Sequence, residues 1–284
     1  MEITHQTVAT NGISLHVAQA GDSNNPLVIM LHGFPEFWYG WRKQIRAIAG
    51  AGYWVWAPDQ RGYNLSDKPK GFAAYSLDEL AADVLGLIQA AGRERCTLIG
   101  HDWGGSVAWW VANKYPDQLE KLVVLNSPHH RVFGKTLRAS RQQKRKSRYM
   151  FFFQIPYLPE IALRFKNNWL LERAMRASRQ GAYTDADLQQ YHEAWNQPGA
   201  IPAMLNWYRA AFKVRPRPPE DRRIKAPTLL LWGKRDAALG WEMAQPSIDF
   251  CDEGKLVFFD DATHWIAAEE AERVNGLILE FLGG

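Results

Sequence analysis

The sequence predicts an α/β fold in which a mostly parallel sheet is flanked by helices and interrupted once by a helical lid. Three observations lead there. Short apolar runs recur with longer helix-like stretches between them, the pattern of strands joined by crossover helices. Several of the runs are apolar throughout, as strands covered on both faces must be. The alternation then stops over residues 128–222 and resumes at Ala226.

In chain order, strands are expected at 13–18, 27–31, 54–57, 97–100, 122–125, 228–232 and 256–259. Helices are expected at 41–49, 77–91, 105–114 and 267–282. Ser76 with Glu79 three residues later has the spacing of a capping box opening the second helix. Segment 128–222 shows no convincing buried strand. It ends in Lys213-Val214-Arg215-Pro216-Arg217-Pro218-Pro219, a stiff linker interrupted by prolines. The expected organisation is a core of residues 1–127 and 223–284, with a lid of residues 128–222 over the carboxyl edge of the sheet.

A chain of 284 residues, 46% hydrophobic and 23% charged, buries roughly three-quarters of its unfolded surface, which excludes disordered and fibrous classes. Cys96 and Cys251 form neither a CxxC pair nor a metal-ligand spacing, so a reducing compartment is expected and no metal or cofactor is implied. The polar N-terminus lacks the apolar stretch of a signal peptide, and no apolar run approaches the roughly 18 residues of a spanning helix. A cytoplasmic monomer or homodimer is expected, with no nucleic-acid or membrane partner. The net charge of +4 is too small to argue for a polyanion. Its distribution is uneven, since 128–222 holds 18 Lys and Arg against 7 Asp and Glu while the remainder holds 16 against 23. That imbalance suggests lid–core attraction. Residues 131–148 hold eight basic side chains and no acidic one, a run of the kind that is usually a solvated face.

The most informative segment is Cys96-Thr97-Leu98-Ile99-Gly100-His101-Asp102-Trp103-Gly104-Gly105. A strand enters it, small residues flank Asp102 two places before and after, and a helix leaves, as in a nucleophile elbow. Gly100 and Gly104 would let backbone approach backbone where a Cβ would clash, and the helix N-terminus aims amides at the exposed side chain. An aspartate with a reference pKa of ~3.9 is ionised at neutral pH and needs no base to attack. It would displace a leaving group at a saturated carbon, as in epoxides and alkyl halides. The resulting ester would then need a general base and an oxyanion hole for hydrolysis. An aspartate here would also serve as a plain helix N-cap.

The remaining parts fall at strand ends. His264 follows the last expected strand, and Asp236 follows the one before it. The order is nucleophile 102, acid 236, base 264, that of the hydrolase fold, with Asp236 orienting the imidazole and stabilising its cation. The loop Leu31-His32-Gly33-Phe34-Pro35-Glu36 would supply a second amide, so Phe34 and Trp103 are the expected oxyanion pair. His32 is expected to brace this loop. Glu36 would either position water or hold the loop.

With these residues in place, the chain resembles the α/β-hydrolase-fold epoxide hydrolases over nearly its whole length. His32-Gly33-Phe34-Pro35-Glu36, Asp59-Gln60-Arg61-Gly62-Tyr63 followed by Ser66-Asp67-Lys68-Pro69, and the elbow all look like that family's blocks. The resemblance implies two lid tyrosines holding the epoxide oxygen, matched by Tyr149 and Tyr208, with Trp38 and Trp207 as substrate contacts. A phenol of pKa ~10 can donate to a developing alkoxide while staying protonated at pH 7. Tyr157, Tyr183 and Tyr191 are rivals that composition does not exclude. Two departures stand out. The elbow ends in Gly104-Gly105, where alanine is frequent at the second place, a change expected to be harmless. Asn126 is neutral, so the alternative triad acid of some relatives is missing; that leaves Asp236, with Arg235 as a nearby charge that would tune it.

The resemblance therefore implies conversion of a small apolar or aryl epoxide to a vicinal diol. A haloalkane dehalogenase shares the elbow but usually has an asparagine donor where Phe34 stands. A fluoroacetate dehalogenase would carry arginine in place of Trp103. A non-catalytic protein binding through its basic lid would have no need of a triad.

Overall fold

A computed structural model of the protein describes residues 1–216, 219 and 223–284. Eight strands form one sheet: β1 (Thr4–Thr10), β2 (Ile13–Ala20), β3 (Leu27–Leu31), β4 (Trp54–Pro58), β5 (Cys96–His101), β6 (Leu119–Leu125), β7 (Thr228–Gly233) and β8 (Gly254–Phe259), in the order β1-β2-β4-β3-β5-β6-β7-β8. Strands β3 to β8 pair in parallel, while β2 runs antiparallel to both β1 and β4.

Strand β1 lies in the N-terminal segment that the sequence pattern left polar. It is an edge strand whose residues are mostly exposed, so its composition lacks the apolar run of a buried strand. Its signal is the turn. Asn11 and Gly12 both have positive φ, 44° and 74°, and join Thr10 to Ile13 directly. That is the Asn-Gly hairpin signature.

The sheet is covered on both faces because its central strands are buried throughout. All five residues of β3 are buried; Val28 and Met30 join one apolar cluster, Leu27, Ile29 and Leu31 the other. The first cluster packs Trp41, Ile45 and Ile48 around α1 (Arg42–Gly50), with Val274 and Ile278 of the C-terminal helix. The second packs α2 (Leu77–Ala90) and α3 (Trp103–Lys114) through Val84, Leu87, Val107 and Trp109. Ser76 caps α2 by accepting the Glu79 amide at 3.3 Å, but Glu79 turns its carboxylate to Asn11, so only half of the capping box forms.

Between β6 and β7 the described residues are helical: α4 (His130–Ala139), α5 (Arg141–Lys146), α6 (Arg148–Phe152), α7 (Leu158–Arg176), α8 (Asp185–Trp195) and α9 (Ala200–Lys213). Then come α10 (Ala244–Ile248), α11 (Ile266–Glu269) and α12 (Ala271–Gly283). The lid boundary expected at residue 222, and Arg217 and Pro218 of the expected linker, lie outside the described residues. Lid side chains Phe153, Tyr191, Trp195, Trp207 and Tyr208 belong to the same apolar cluster as the α2/α3 face of the sheet.

The helical segment between β6 and β7, expected as a lid, is joined to the sheet and its loops mainly by aromatic packing and hydrogen bonds. Trp195 Nε1 donates to the Pro35 carbonyl at 2.7 Å, and Trp207 Nε1 to the Arg61 carbonyl at 3.1 Å. Among the described residues two ion pairs cross, Arg42–Asp187 and Arg179–Glu270. The basic run 131–148 makes no ion pair among the described residues; seven of its eight cations are exposed, and Lys146 donates to the Asp236 carbonyl. The attraction suggested by the charge imbalance is thus not carried by this run.

Beneath the lid, Arg61 is 3% exposed and holds Asp83 of α2 with Nε at 2.6 Å, while its carbonyl receives Trp207. Asp83→Ala would leave a buried guanidinium with only the half-exposed Glu79 carboxylate, 3.6 Å from Nη1. It is expected to lower the unfolding free energy by about 3–5 kcal/mol, seen as a fall in the urea midpoint at unchanged slope. A loss below about 1 kcal/mol would mean that the pair behaves as a surface ion pair.

Candidate active site

Strand register brings the chemistry to one level. Leu31 pairs with Gly100, His101 with Leu125, and Leu125 with Leu231. The loops leaving β3, β5, β6, β7 and β8 therefore emerge side by side at the carboxyl edge, where ligands bind in parallel sheets. They carry Phe34, Asp102, Asn126, Asp236 and His264.

Asp102 has φ 51° and ψ −116°, a strained conformation for a residue with a side chain. It stands at the N-cap position of α3 without a side-chain cap bond. Its Oδ1 instead accepts the Phe34 amide at 2.9 Å. The turn closes so tightly that a Cβ on Gly104 would lie 2.1 Å from the Leu31 carbonyl oxygen. Trp103 begins α3, where a helix amide has no intrahelical partner.

Gly105 is not a neutral departure. A Cβ there would stand 2.5 Å from Cβ of Ser127, and the Ser127 hydroxyl donates to the Asp102 carbonyl at 2.8 Å. The missing methyl is the space in which Ser127 ties down the turn.

His264 Nδ1 lies 2.7 Å from Asp236 Oδ2, and its Nε2 lies 3.6 Å from Asp102 Oδ2. Asp236 is fully buried. Its Oδ1 accepts the amides of Ala238 and Leu239, and its Oδ2 also accepts Asn126 Nδ2 at 2.7 Å. Burial works against its ionisation, yet His264, the Leu239 amide and Asn126 hold its carboxyl below the usual range. Burial likewise pulls the His264 imidazole down, but Asp236, Asp102 and Glu36 outweigh it and push it up to about 9. Arg235 is exposed and paired with Asp261, so it leaves the acid alone.

Of the groups that hold these three, sequence reasoning named Glu36, read Asn126 only as a missing acid, and passed over His101 and Gln143. Asn126 fastens two loops, since its Oδ1 also accepts the Gly233 amide at 3.0 Å. Its positive φ of 44° suits asparagine, and its place at a strand end was the available signal. His101 links Glu36 Oε2, at 2.8 Å from Nδ1, to the His264 carbonyl, at 2.9 Å from Nε2. Glu36 is buried, accepts Tyr183 and Tyr191 on its other oxygen, and is kept ionised against its burial by His101. In this structure it holds the histidine loop. Gln143 of α5 bonds Ala238 and Gly240 beyond the acid.

His32 is buried, with Nδ1 donating to the Gly33 carbonyl and Nε2 accepting the Gln60 amide at 3.0 Å. Both ring nitrogens are thus occupied, and burial lowers its pKa. Asp102 opens into a cavity of about 320 Å³ lined by Trp103, Tyr149, Trp207 and Tyr208. The Tyr149 and Tyr208 rings stand 5.8 Å apart. Burial and the Asp102 charge push the Tyr149 phenol up; burial, Tyr149 and Asp102 do the same for Tyr208. Both stay protonated. Of the rival tyrosines, Tyr157 is 80% exposed and the other two face Glu36. Trp38, expected to contact substrate, does not line this cavity. Asp59 holds its amide at 3.0 Å, and its ring packs edge-on to His5.

A carboxylate, an acid–histidine pair and a loop amide at the ends of successive parallel strands define the class: the chain belongs to the alpha/beta hydrolase fold family, whose model matches residues 26–271. The AB hydrolase superfamily protein YfhM of Bacillus subtilis is 47% identical over 280 residues, which are 98% of this chain and 97% of that protein. Epoxide hydrolase 1 of Caenorhabditis elegans is 38% identical over 276 residues, covering 95% of this chain and 68% of that protein. The crystal structure of a Bacillus megaterium epoxide hydrolase in complex with an inhibitor superposes with a TM-score of 0.90 at 30% identity, over 98% of this chain and 100% of the other. Within the fold, the chain is a member of the epoxide hydrolase family.

Two outcomes test this geometry. Gly105→Ala is expected to cost about 1–3 kcal/mol of stability through overpacking, recovered in part when Ser127→Gly relieves the clash at the loss of its bond to the Asp102 carbonyl; thermal unfolding of both single variants and the double variant checks it. The pKa of His264 lies above its unfolded value, so its contribution is complete below about pH 6.5 and is lost as pH rises through about 9. Unfolding free energy should fall over that window by up to about 3 kcal/mol, and His264→Gln should flatten the decline.

Proposed function

We propose that the protein opens small apolar or aryl epoxides to vicinal diols through an alkyl ester on Asp102. The observation that carries this is the juxtaposition of Asp102 and two protonated lid phenols in one cavity, with His264 held at 3.6 Å by a buried acid. The core-and-lid division at 127/128 and 222/223 belongs to the same reading. So does a cytoplasmic location, which the two unbridged, buried cysteines support.

Oδ1 of Asp102 occupies the donor site at Phe34, which leaves Oδ2 to attack an epoxide carbon. As the C–O bond breaks, Tyr149 and Tyr208 donate to the oxygen. Their raised pKa values suit hydrogen-bond donation without prior ionisation. Forming the ester removes the charge of Asp102, one of three carboxylates that raise His264. The imidazole then gives up its proton more readily; that proton makes good the one the phenols pass to the alkoxide, and the neutral ring can serve as base. Water activated by His264 attacks the ester carbonyl at Cγ. The oxyanion develops on Oδ1, already 2.9 Å from the Phe34 amide, with the Trp103 amide as its second donor. Such a donor is worth about 3 kcal/mol. Collapse breaks the alkyl C–O bond, the departing oxygen takes the proton that His264 drew from water, and the carboxylic acid left on Asp102 returns its proton to His264, so the diol leaves with both groups restored.

A halide leaving group calls for N–H donors, and here Phe34 replaces the asparagine. The Trp103 ring is packed edge-on against Trp207 and Tyr208. The paired phenols favour an oxygen leaving group.

His264→Gln mixed with styrene oxide should show a covalent mass increase on the peptide containing Asp102, absent from Asp102→Asn. No adduct on that peptide would sink the ester mechanism. Tyr149→Phe and Tyr208→Phe should each slow ring opening about 100-fold; full activity in both would mean other acids. Diol formation from styrene oxide should exceed halide release from 1-bromobutane.

A further inference from the structure

The lid carries an outer surface that its role over the cavity does not explain. Of the thirteen large apolar side chains left exposed among the described residues, eight fall within residues 151–170. Leu158, Ile161 and Phe165, 49%, 66% and 58% exposed, are spaced i, i+3, i+7, one side of the first half of α7. Pro159 and Leu163 are buried. Tyr157 precedes this row and Trp169 follows it, both exposed. Between them Lys166, Asn167 and Asn168 all have positive φ, and Asn168 Nδ2 binds Asn196 Oδ1 at 2.9 Å. The break in α7 is thus tied to α8.

The charges around this surface are one-sided. Of the two acids within residues 151–173, Glu160 is paired with Arg209 at 2.7 Å and Glu172 with Arg176 at 2.6 Å. Arg164, Lys166 and Arg173 make no ion pair among the described residues; Lys166 lies over the Phe165 ring and Arg173 over the Trp169 ring. The run 131–148, with seven exposed cations, ends three residues before Phe151. Exposed apolar clusters of this kind mark contact surfaces. Aromatic and aliphatic side chains interleaved with cations match a lipid headgroup boundary, where rings enter and cations meet anionic lipid. A symmetric contact with a second copy would set the same cations against one another.

We propose that residues 151–173 dock the protein on an anionic lipid bilayer, with Ile161, Phe165 and Trp169 entering the headgroup region and Arg164, Lys166 and Arg173 pairing with lipid phosphates. No described helix is long and apolar enough to cross a membrane; docking here is interfacial. It is independent of the ester chemistry, and its test does not use that chemistry as the readout.

The full-length protein is sedimented with phosphatidylcholine vesicles and with vesicles containing about 30% phosphatidylglycerol. Binding to the anionic vesicles is expected to be at least about tenfold stronger and to be lost in about 0.5 M salt. The variant Arg164→Gln, Lys166→Gln, Arg173→Gln should weaken it about fivefold per charge removed. Ile161→Asp, Phe165→Asp, Trp169→Asp should abolish it while the near-ultraviolet circular dichroism and melting temperature stay unchanged. If the triple aspartate variant fails to fold, Ile161→Asp alone, at the most exposed of the three, must weaken binding at least about fivefold. Equal or absent binding to the two vesicle types overturns the proposal. So does a wild-type dimer in light scattering that the aspartate substitutions dissociate, which would assign the surface to a second copy.

Discussion

Asp102 sits at a positive φ because two chain segments close on it from opposite sides. Gly104 lies against the carbonyl of Leu31, and Gly105 against the side chain of Ser127. No side chain fits at either glycine, and the strained turn between β5 and α3 persists because β3 and β6 hold it there. Such a conformation costs of order 1–3 kcal/mol, which the packing of four buried parallel strands supplies. The turn sets the direction of the Asp102 side chain. The Asp102 carboxylate is lifted off the helix it would otherwise cap and delivered to the Phe34 amide, the His264 ring and the cavity under the lid. The rest of the site is arranged around that one side chain.

The electrostatic design is a balance of buried carboxylates around one imidazole. Asp236 is ionised because it accepts two amides and an asparagine N–H besides its histidine; Glu36 is ionised because His101 faces it. Together with Asp102 they raise His264 toward its charged form, a cation beside a carboxylate that needs no counterion from solvent. In the proposed mechanism, neutralising Asp102 as an ester shifts this balance at the step that needs a base. The neutral Asn126 contributes by what it bonds rather than by charge, since it locks the end of β6 to the loop carrying the acid.

The helical segment between β6 and β7, the proposed lid, contributes cavity walls and is fastened to the same loops. Trp195 caps the Pro35 carbonyl, Tyr183 and Tyr191 reach Glu36, and Lys146 and Gln143 brace the acid loop from Asp236 to Gly240. A shift of this segment would therefore disturb the loops carrying Asp236 and Glu36 as well as the cavity wall. Most of the cations of its run 131–148 are exposed, on the solvent side of the segment.

Much was legible in the residues alone. Continuous apolar runs such as 27–31 and 97–100 have one stable fate in a chain of this size, burial in a parallel sheet. Small residues around Asp102, with Asp236 and His264 at later strand ends, pointed to the side chains that the fold brings together, because their spacing follows local backbone geometry. The Asn-Gly turn of β1 was equally local but overlooked. Other features were decided only by tertiary structure, because they depend on distances between segments far apart in the chain. The space at Gly105 exists for Ser127, Trp38 is drawn away from the cavity by Asp59 and His5, and Arg235 is spent on Asp261. Composition counted the lid's cations; only the folded chain, by packing one side of α7 and leaving the other bare, determined that they stand beside exposed rings and not against the acidic core.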